Sequence, residues 1–346
     1  MQNHHLSEWA RREAIARWNA VAKPLHSLGR LEDMIVQIAG IQETADVRLS
    51  PRCVLVFCGD HGVVAEGVSQ SGQEVTALVA RSIAEGSANV NLMAAVSHAD
   101  VYAVDMGMAQ DVPGMIMRKR AYGTQNMTKA PAMTRAQAQA AVQAGMDLVG
   151  EMKEKGYRLI AAGEMGIGNT TVSTAMACAL LGLSPQALAG RGAGLCDAGL
   201  ARKIKAIERA LTQNAPDSRD PMDILAKVGG YEIAGMAGAF LGGMQHRVPV
   251  VVDGVISAVA ALLAVRLCPR ARDFMLPSHM SREPAMLRIM QELALEPVIH
   301  ADMALGEGTG AAALFPMLDM AHRVYAGTHT FDDLGMQAYT PQEGRA

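Results

Sequence analysis

The spacing of apolar residues changes twice along the chain. Between residues 6 and 22, Leu6, Trp9, Ile15 and Val21 recur among charges at roughly helical spacing. This predicts an amphipathic helix capped by Ser7. Lys23-Pro24 breaks it, and Leu31, Met34, Ile35, Ile38 and Ala39 supply the apolar face of a second helix over 29–41. From residue 53 the pattern becomes short apolar runs ending in glycine, aspartate or a polar loop: Cys53–Cys58, Val101–Asp105, Arg158–Ala162, Val248–Val252, Asp273–Leu276 and Glu296–His300. Helical stretches separate them, including Ala175–Leu181 and 222–246, the latter broken by Gly229-Gly230. Six such runs predict an α/β fold with a mostly parallel sheet and helices on both faces.

In such a sheet, ligands bind beyond the carboxyl ends of the strands. The loops there carry Asp60, His61, Glu164, Asn169, Asp253, Ser278, His279 and Glu307, which are expected to converge on one cleft. Glu307 stands in Gly306-Glu-Gly308, just before an Ala-rich helix. Two readings stay open for it: a helix cap, or a carboxylate dried by apolar neighbours until it serves as a general base. Gly163-Glu-Met-Gly-Ile-Gly-Asn169 leads into a helix and offers an anion site, though it matches neither common nucleotide fingerprint. Downstream, Arg202 or Lys203 is a candidate to neutralise the same anion, the alternative being an ordinary solvated position on a helix surface. Gly235, Gly238, Gly242 and Gly243 read as close helix packing, and the 24 methionines as adaptable core filler.

Composition narrows the partners. The 346 residues are 50% hydrophobic and 19% charged with net charge -3, which gives no basis for binding nucleic acid. No apolar run reaches the roughly eighteen residues of a membrane span, and the N-terminus lacks the pattern of a signal peptide, so a cytoplasmic protein is expected. The five cysteines form no CxxC pair and read as reduced, buried thiols, with Cys53 and Cys58 on opposite faces of their strand. The ten histidines form no metal-ligand pattern.

Several motifs together resemble a known family: Ser27-Leu-Gly-Arg-Leu-Glu32, Asp60-His-Gly-Val63, Glu66-Gly-Val68, Gly163-Glu164 with Gly166, Asn169-Thr-Thr171, Lys227-Val-Gly-Gly230, Asp253-Gly254, Pro277-Ser-His279 and Leu305-Gly-Glu-Gly308. From about residue 20 to 325 the chain is similar to the nicotinate-nucleotide:dimethylbenzimidazole phosphoribosyltransferases. The resemblance implies a Rossmann-like domain over 46–309 and a small helical domain from 1–45 and 310–346. It implies a homodimer acting on nicotinate mononucleotide and a benzimidazole-type base, with no metal or cofactor, to make the lower-ligand nucleotide of cobamides. Glu307 falls on the family's general base and Glu164 on a supporting carboxylate. Gly166, Lys203 and Ser281 match nucleotide- or phosphate-binding positions, and Ser71, Met165 and Leu305 match the base pocket. The chain departs from the family pattern at Leu25, His26, Gly72, Val79 and Ala304, which leaves the preferred base open, as is the use of NAD as donor. A non-catalytic nucleotide-binding protein and a nucleosidase using water are the alternatives.

Overall fold

A computed structural model describes residues 4–340. Six strands form one fully parallel sheet in the order β3-β2-β1-β4-β5-β6: β1 Arg52–Gly59, β2 Asp100–Gly107, β3 Ile116–Met117, β4 Leu159–Met165, β5 Val250–Val252 and β6 Met275–Pro277. Thirteen helices are described: α1 Glu8–Ala20, α2 Arg30–Gln42, α3 Glu74–Ala84, α4 Asn89–Val96, α5 Arg135–Glu154, α6 Asn169–Leu181, α7 Pro185–Leu188, α8 Asp197–Asn214, α9 Pro221–Val228, α10 Tyr231–His246, α11 Val255–Leu267, α12 Ala285–Leu293 and α13 Thr309–Gly327.

The central strand explains its own sequence. Every residue of β1 is buried, which is why Cys53–Cys58 reads as an unbroken apolar run. Alternate side chains enter two different cores. Cys53, Leu55 and Phe57 join the core beneath α5, α6, α10 and α11, while Val54, Val56 and Cys58 join the core beneath α2, α3, α4 and α13. Cys53 and Cys58 thus do face opposite ways. Four of the five thiols are buried; Cys196 is exposed, a correction to the expectation for all five.

The glycines of α10 let it press against α5: a Cβ on Gly238 would collide with the Val142 carbonyl oxygen. Ser7 caps α1 as expected, its hydroxyl oxygen accepting from the Ala10 N–H at 3.3 Å. The first and last described helices lie together, with the Trp18 ring of α1 packed 5.1 Å from that of Tyr325 on α13 and a bridge joining Val21 to Thr330.

Two strand expectations need correction. Glu296–His300 is not a strand; only Ile299 pairs, in a single bridge with His279, because Pro297 has no N–H to donate to a ladder. The sixth strand is instead the two-residue Ile116–Met117 on the opposite edge. The helix expected to start near Ala175 starts earlier, at Asn169. Positions 341–346 of the expected polar tail lie outside the described residues.

Candidate active site

A cavity of about 250 Å³ opens beyond the carboxyl ends of β4, β5 and β6. Larger hollows exist, about 490 Å³ beside α1 and α2 and about 510 Å³ beside α9, but neither brings a glycine turn together with two buried glutamates. Chemistry, not volume, selects the smaller one.

Glu307 reaches this cavity from a loop of three consecutive left-handed residues, Gly306 at φ 84°, Glu307 at 61° and Gly308 at 87°. A glutamate in that region costs on the order of 1 kcal/mol, so something must hold it there. Several bonds do. The Glu307 N–H donates to the Glu164 carbonyl at 3.2 Å, and Gly308 and Ala311 donate to the two Asp253 carboxylate oxygens at 3.2 and 2.9 Å. Asp253 therefore caps α13, whose N-cap Gly308 has no side chain for the task. Beneath the loop, a Cβ on Gly163 would lie 2.6 Å from Glu307 carbonyl atoms and the Gly308 nitrogen. Only glycine permits that contact.

The Glu307 side chain does meet a helix start, that of α4 rather than α13. Its Oε2 accepts from the Val90 N–H at 3.3 Å. Burial pushes its carboxyl above the ordinary value, while Val90 and the Asn89 side chain pull the other way. Glu164, at the end of β4, is perturbed further. Burial, then Asp253 and Glu232, lift its pKa to about 8 against a hydrogen bond from Asn169. The Glu164 carboxylate packs against the loop that carries Glu307, for a Cβ on Gly306 would come 2.5 Å from Glu164 Oε1, and both glutamates line the cavity.

The glycine turn forms the next wall. Gly166, Ile167, Asn169 and Thr170 line the cavity, and α6 points its first turn at it. Gly166 packs so closely that a Cβ would collide with the Gly59 carbonyl oxygen. Met165, Ser281 and Leu305 also line the cavity, as do Val79 and Ala304 among the departures from the family pattern.

Other expected members stand elsewhere. Ser71 lies in the loop before α3 and is not part of the lining. Lys203 is fully buried behind Thr170. Asp253 and His279 line the cavity, but Asp60, His61 and Ser278 lie beneath it. Leu25, His26 and Gly72 do not line it; His26 borders the hollow beside α1 and α2.

Sequence reasoning missed Glu232 and Glu283, and gave Thr170 no role beyond its place in the Asn169-Thr-Thr171 motif. His61 Nε2 lies 2.9 Å from Glu232 Oε1, both fully buried under the glycine turn. Burial alone would depress the imidazole, yet Glu232 outweighs it and holds His61 above its ordinary value. Nothing local betrays Glu232, which follows Gly229-Gly230-Tyr231 on an apolar helix. Glu283 follows Ser281 by two residues, and that nearness to a candidate was the one available signal.

The family model described as phosphoribosyltransferase matches residues 4–336. A nicotinate-nucleotide-dimethylbenzimidazole phosphoribosyltransferase of Acetivibrio thermocellus is 43% identical over 94% of this chain and 93% of its own length. One from Ruminiclostridium cellulolyticum is 44% identical over 96% and 95%. The crystal structure of CobT from Thermus thermophilus superposes with a TM-score of 0.90 at 38% identity, covering 96% of this chain and all of that one. With a family model along nearly its whole length and relatives above 40% identity, the chain belongs to the nicotinate-nucleotide-dimethylbenzimidazole phosphoribosyltransferase family.

Proposed function

We propose that this protein transfers the phosphoribosyl group of nicotinate mononucleotide to 5,6-dimethylbenzimidazole or a related base, giving α-ribazole 5′-phosphate and nicotinate for the lower ligand of cobamides. The observation that carries the mechanism is that Glu307 and Glu164, both with carboxyls raised by burial, line one cavity beside the glycine turn. One azole nitrogen attacks the ribose C1′ as the bond to the pyridinium breaks. The bonding pair goes to the pyridinium nitrogen, leaving neutral-ring nicotinate, and attack from the opposite face turns a β-glycoside into an α one. The proton of the other azole nitrogen passes to Glu307. Glu307 is suited to accept it because burial raises its carboxyl toward the range of a useful base while the Val90 N–H at the α4 N-terminus supports the ionised form. Glu164, protonated up to about pH 8, supplies a hydrogen-bond donor beside it.

Within this reading the phosphate rests on the Gly166–Thr170 turn with Ser281 nearby, and the base lies against Met165 and Leu305. Lys203 supports the phosphate wall from behind, and Ser71 stays outside the cavity as a rim residue. Of the terminal segments 1–45 and 310–346, the described parts form a helical unit around α1, α2 and α13, 46–309 is the substrate domain, and the protein acts as a cytoplasmic homodimer. Among the described residues, no helix is long and apolar enough to cross a membrane.

The test is chromatography of nicotinate and α-ribazole phosphate with and without 5,6-dimethylbenzimidazole. Release that needs the base supports transfer. Release without it would show a nucleosidase, and binding of nicotinate mononucleotide without release would show a non-catalytic protein.

A further inference from the structure

Two oppositely charged side chains from separate elements grip one glycine-rich stretch. Lys203, on α8, donates from Nζ to the Gly190 carbonyl at 2.9 Å and to Thr170 Oγ1 at 3.0 Å. Glu283, in the loop before α12, accepts from the Gly192 N–H at 3.2 Å through Oε1. Its Oε2 lies so tightly against Gly190 that a Cβ there would collide with it. Gly192, at φ 53°, would place a Cβ 2.8 Å from Thr170 Oγ1. From the other side, Gln70 donates to the Gly194 carbonyl.

The stretch Gly190–Gly194 is thus a strap fixed at three of its five residues. Gly192 and Ala193 line the candidate active site, while Arg191 and Ala193 also line a hollow of about 70 Å³ shared with Gly166–Thr170. The strap is therefore the wall facing the glycine turn across the nucleotide end of the cavity. Three glycines in five residues give it little stiffness of its own. Unanchored, it would have to be ordered each time the nucleotide bound, which weakens binding.

We propose that Glu283 is a positioning residue for the nucleotide: with Lys203 it fixes the Gly190–Gly194 strap where it closes the phosphate against the Gly166–Thr170 turn. The proposal rests on the phosphoribosyl-transfer reading for its substrate. It does not rest on it for the state of the strap. Glu283 itself borders the cavity, but in this account it does not touch the reacting atoms and acts through the Gly192 N–H. Lys203 likewise contributes through Gly190 and Thr170, its ammonium buried and depressed to about 8 by dehydration, against which Glu283 acts.

Two measurements on the full chain test it. In steady-state nicotinate release, Glu283→Ala is expected to raise KM for nicotinate mononucleotide about tenfold or more, with kcat and the KM for 5,6-dimethylbenzimidazole little changed. Glu283→Gln keeps an acceptor for Gly192 and should recover most of the loss. Gly190→Ala, which disturbs the same contact from the strap side, should raise the same KM. In hydrogen exchange without substrates, amides 190–195 should exchange faster in Glu283→Ala and at nearly the wild-type rate in Glu283→Gln. An unchanged nucleotide KM, a fall confined to kcat, or wild-type protection of the strap in Glu283→Ala would each overturn the proposal. Should wild-type protein release no nicotinate, the functional reading fails while hydrogen exchange still decides whether Glu283 holds the strap.

Discussion

Gly163→Ala tests whether the active site depends on the backbone contact between β4 and the Glu307 loop. Gly163 carries no functional group and lies beneath the loop. A Cβ built on it meets the Glu307 carbonyl carbon and oxygen and the Gly308 nitrogen, all at 2.6 Å, whereas ordinary contact begins at 3.4 Å. All three are backbone atoms, so no side-chain rotation relieves the clash. The loop must move away by something on the order of 1 Å, and a displacement of that size can cost about 10²-fold in rate. Movement is resisted by the Glu307 N–H bond to Glu164 and by the two bonds from Gly308 and Ala311 to Asp253. The variant should therefore also lose about 1–3 kcal/mol of stability as an overpacked site. Gly327→Ala, at the far end of α13, meets nothing within 4 Å and serves as the control. The assay is kcat for base-dependent nicotinate release, alongside thermal unfolding of both variants. A folded Gly163→Ala protein with kcat within about twofold of wild type would refute the claim that this contact sets the carboxylate's position.

Glu307→Gln should fold, bind nicotinate mononucleotide normally and lose about 10²–10⁴ in kcat; near-normal turnover would remove Glu307 from the proton-accepting role. The pH profile of kcat should rise as Glu307 ionises and fall as Glu164 loses its proton near pH 8, and Glu164→Gln should abolish the falling limb; a profile flat through that region would contradict the assignment. Stability follows the same carboxyl. Glu164 has a folded pKa raised from 4.5 to about 8, so the folded protein binds more protons than the unfolded chain in that window, and stability should fall as pH rises through it. Thermal melts between pH 5 and pH 9 should show that decline, and Glu164→Gln should flatten it. On the cavity wall, Val79→Gln adds an amide where the native side chain is apolar. In competition assays it should shift preference from 5,6-dimethylbenzimidazole toward adenine by about tenfold, within the range a pocket contact can discriminate.

What was legible in the chain depended on whether the signal was local. The α2 periodicity and the β1 run carry their own burial pattern, so that helix and the central strand could be placed from residues alone. α1 is a helix as expected but not by the expected face, since Trp9 and Ile15 are exposed and Ala10, Ala14 and Trp18 are buried. Ile116–Met117 could not, because two residues hold no alternation and their pairing partner Val104-Asp105 is supplied by the fold. Glu296–His300 misled because β-rich composition does not guarantee a ladder, and its Pro297 removes a donor. The Gly-Glu-Gly signature exposed the flexible loop around Glu307, but not that Glu307 itself takes positive φ. That strain is held by Asp253, more than fifty positions away in sequence, and by the close approach of Gly163. Lys203 and Glu283 show the same limit, since neither can be read as gripping the strap until the fold brings α8 and the loop before α12 together.

The distance-dependent information also explains why several buried acids at one end of a sheet need not share one role. Asp60 accepts the Ala109 N–H and Asp105 the Met108 N–H, each serving a loop turn. Asp253 commits both carboxylate oxygens to the start of α13, and Glu232 lies against His61. Asp105 also pairs with Lys119 at 3.2 Å, so each of these four is engaged by an amide, an ammonium or an imidazole neighbour. Glu164 receives the Asn169 amide, while like charges and burial favour its protonated form; Glu307 faces the cavity with the α4 N-terminus favouring its ionised form. Burial raises both carboxyl groups, Glu164 to about 8 with the like charges of Asp253 and Glu232 adding to it, while at Glu307 the Val90 N–H at the α4 N-terminus opposes the rise. That difference is the physical reason we propose the base role for Glu307 rather than for the more strongly perturbed Glu164.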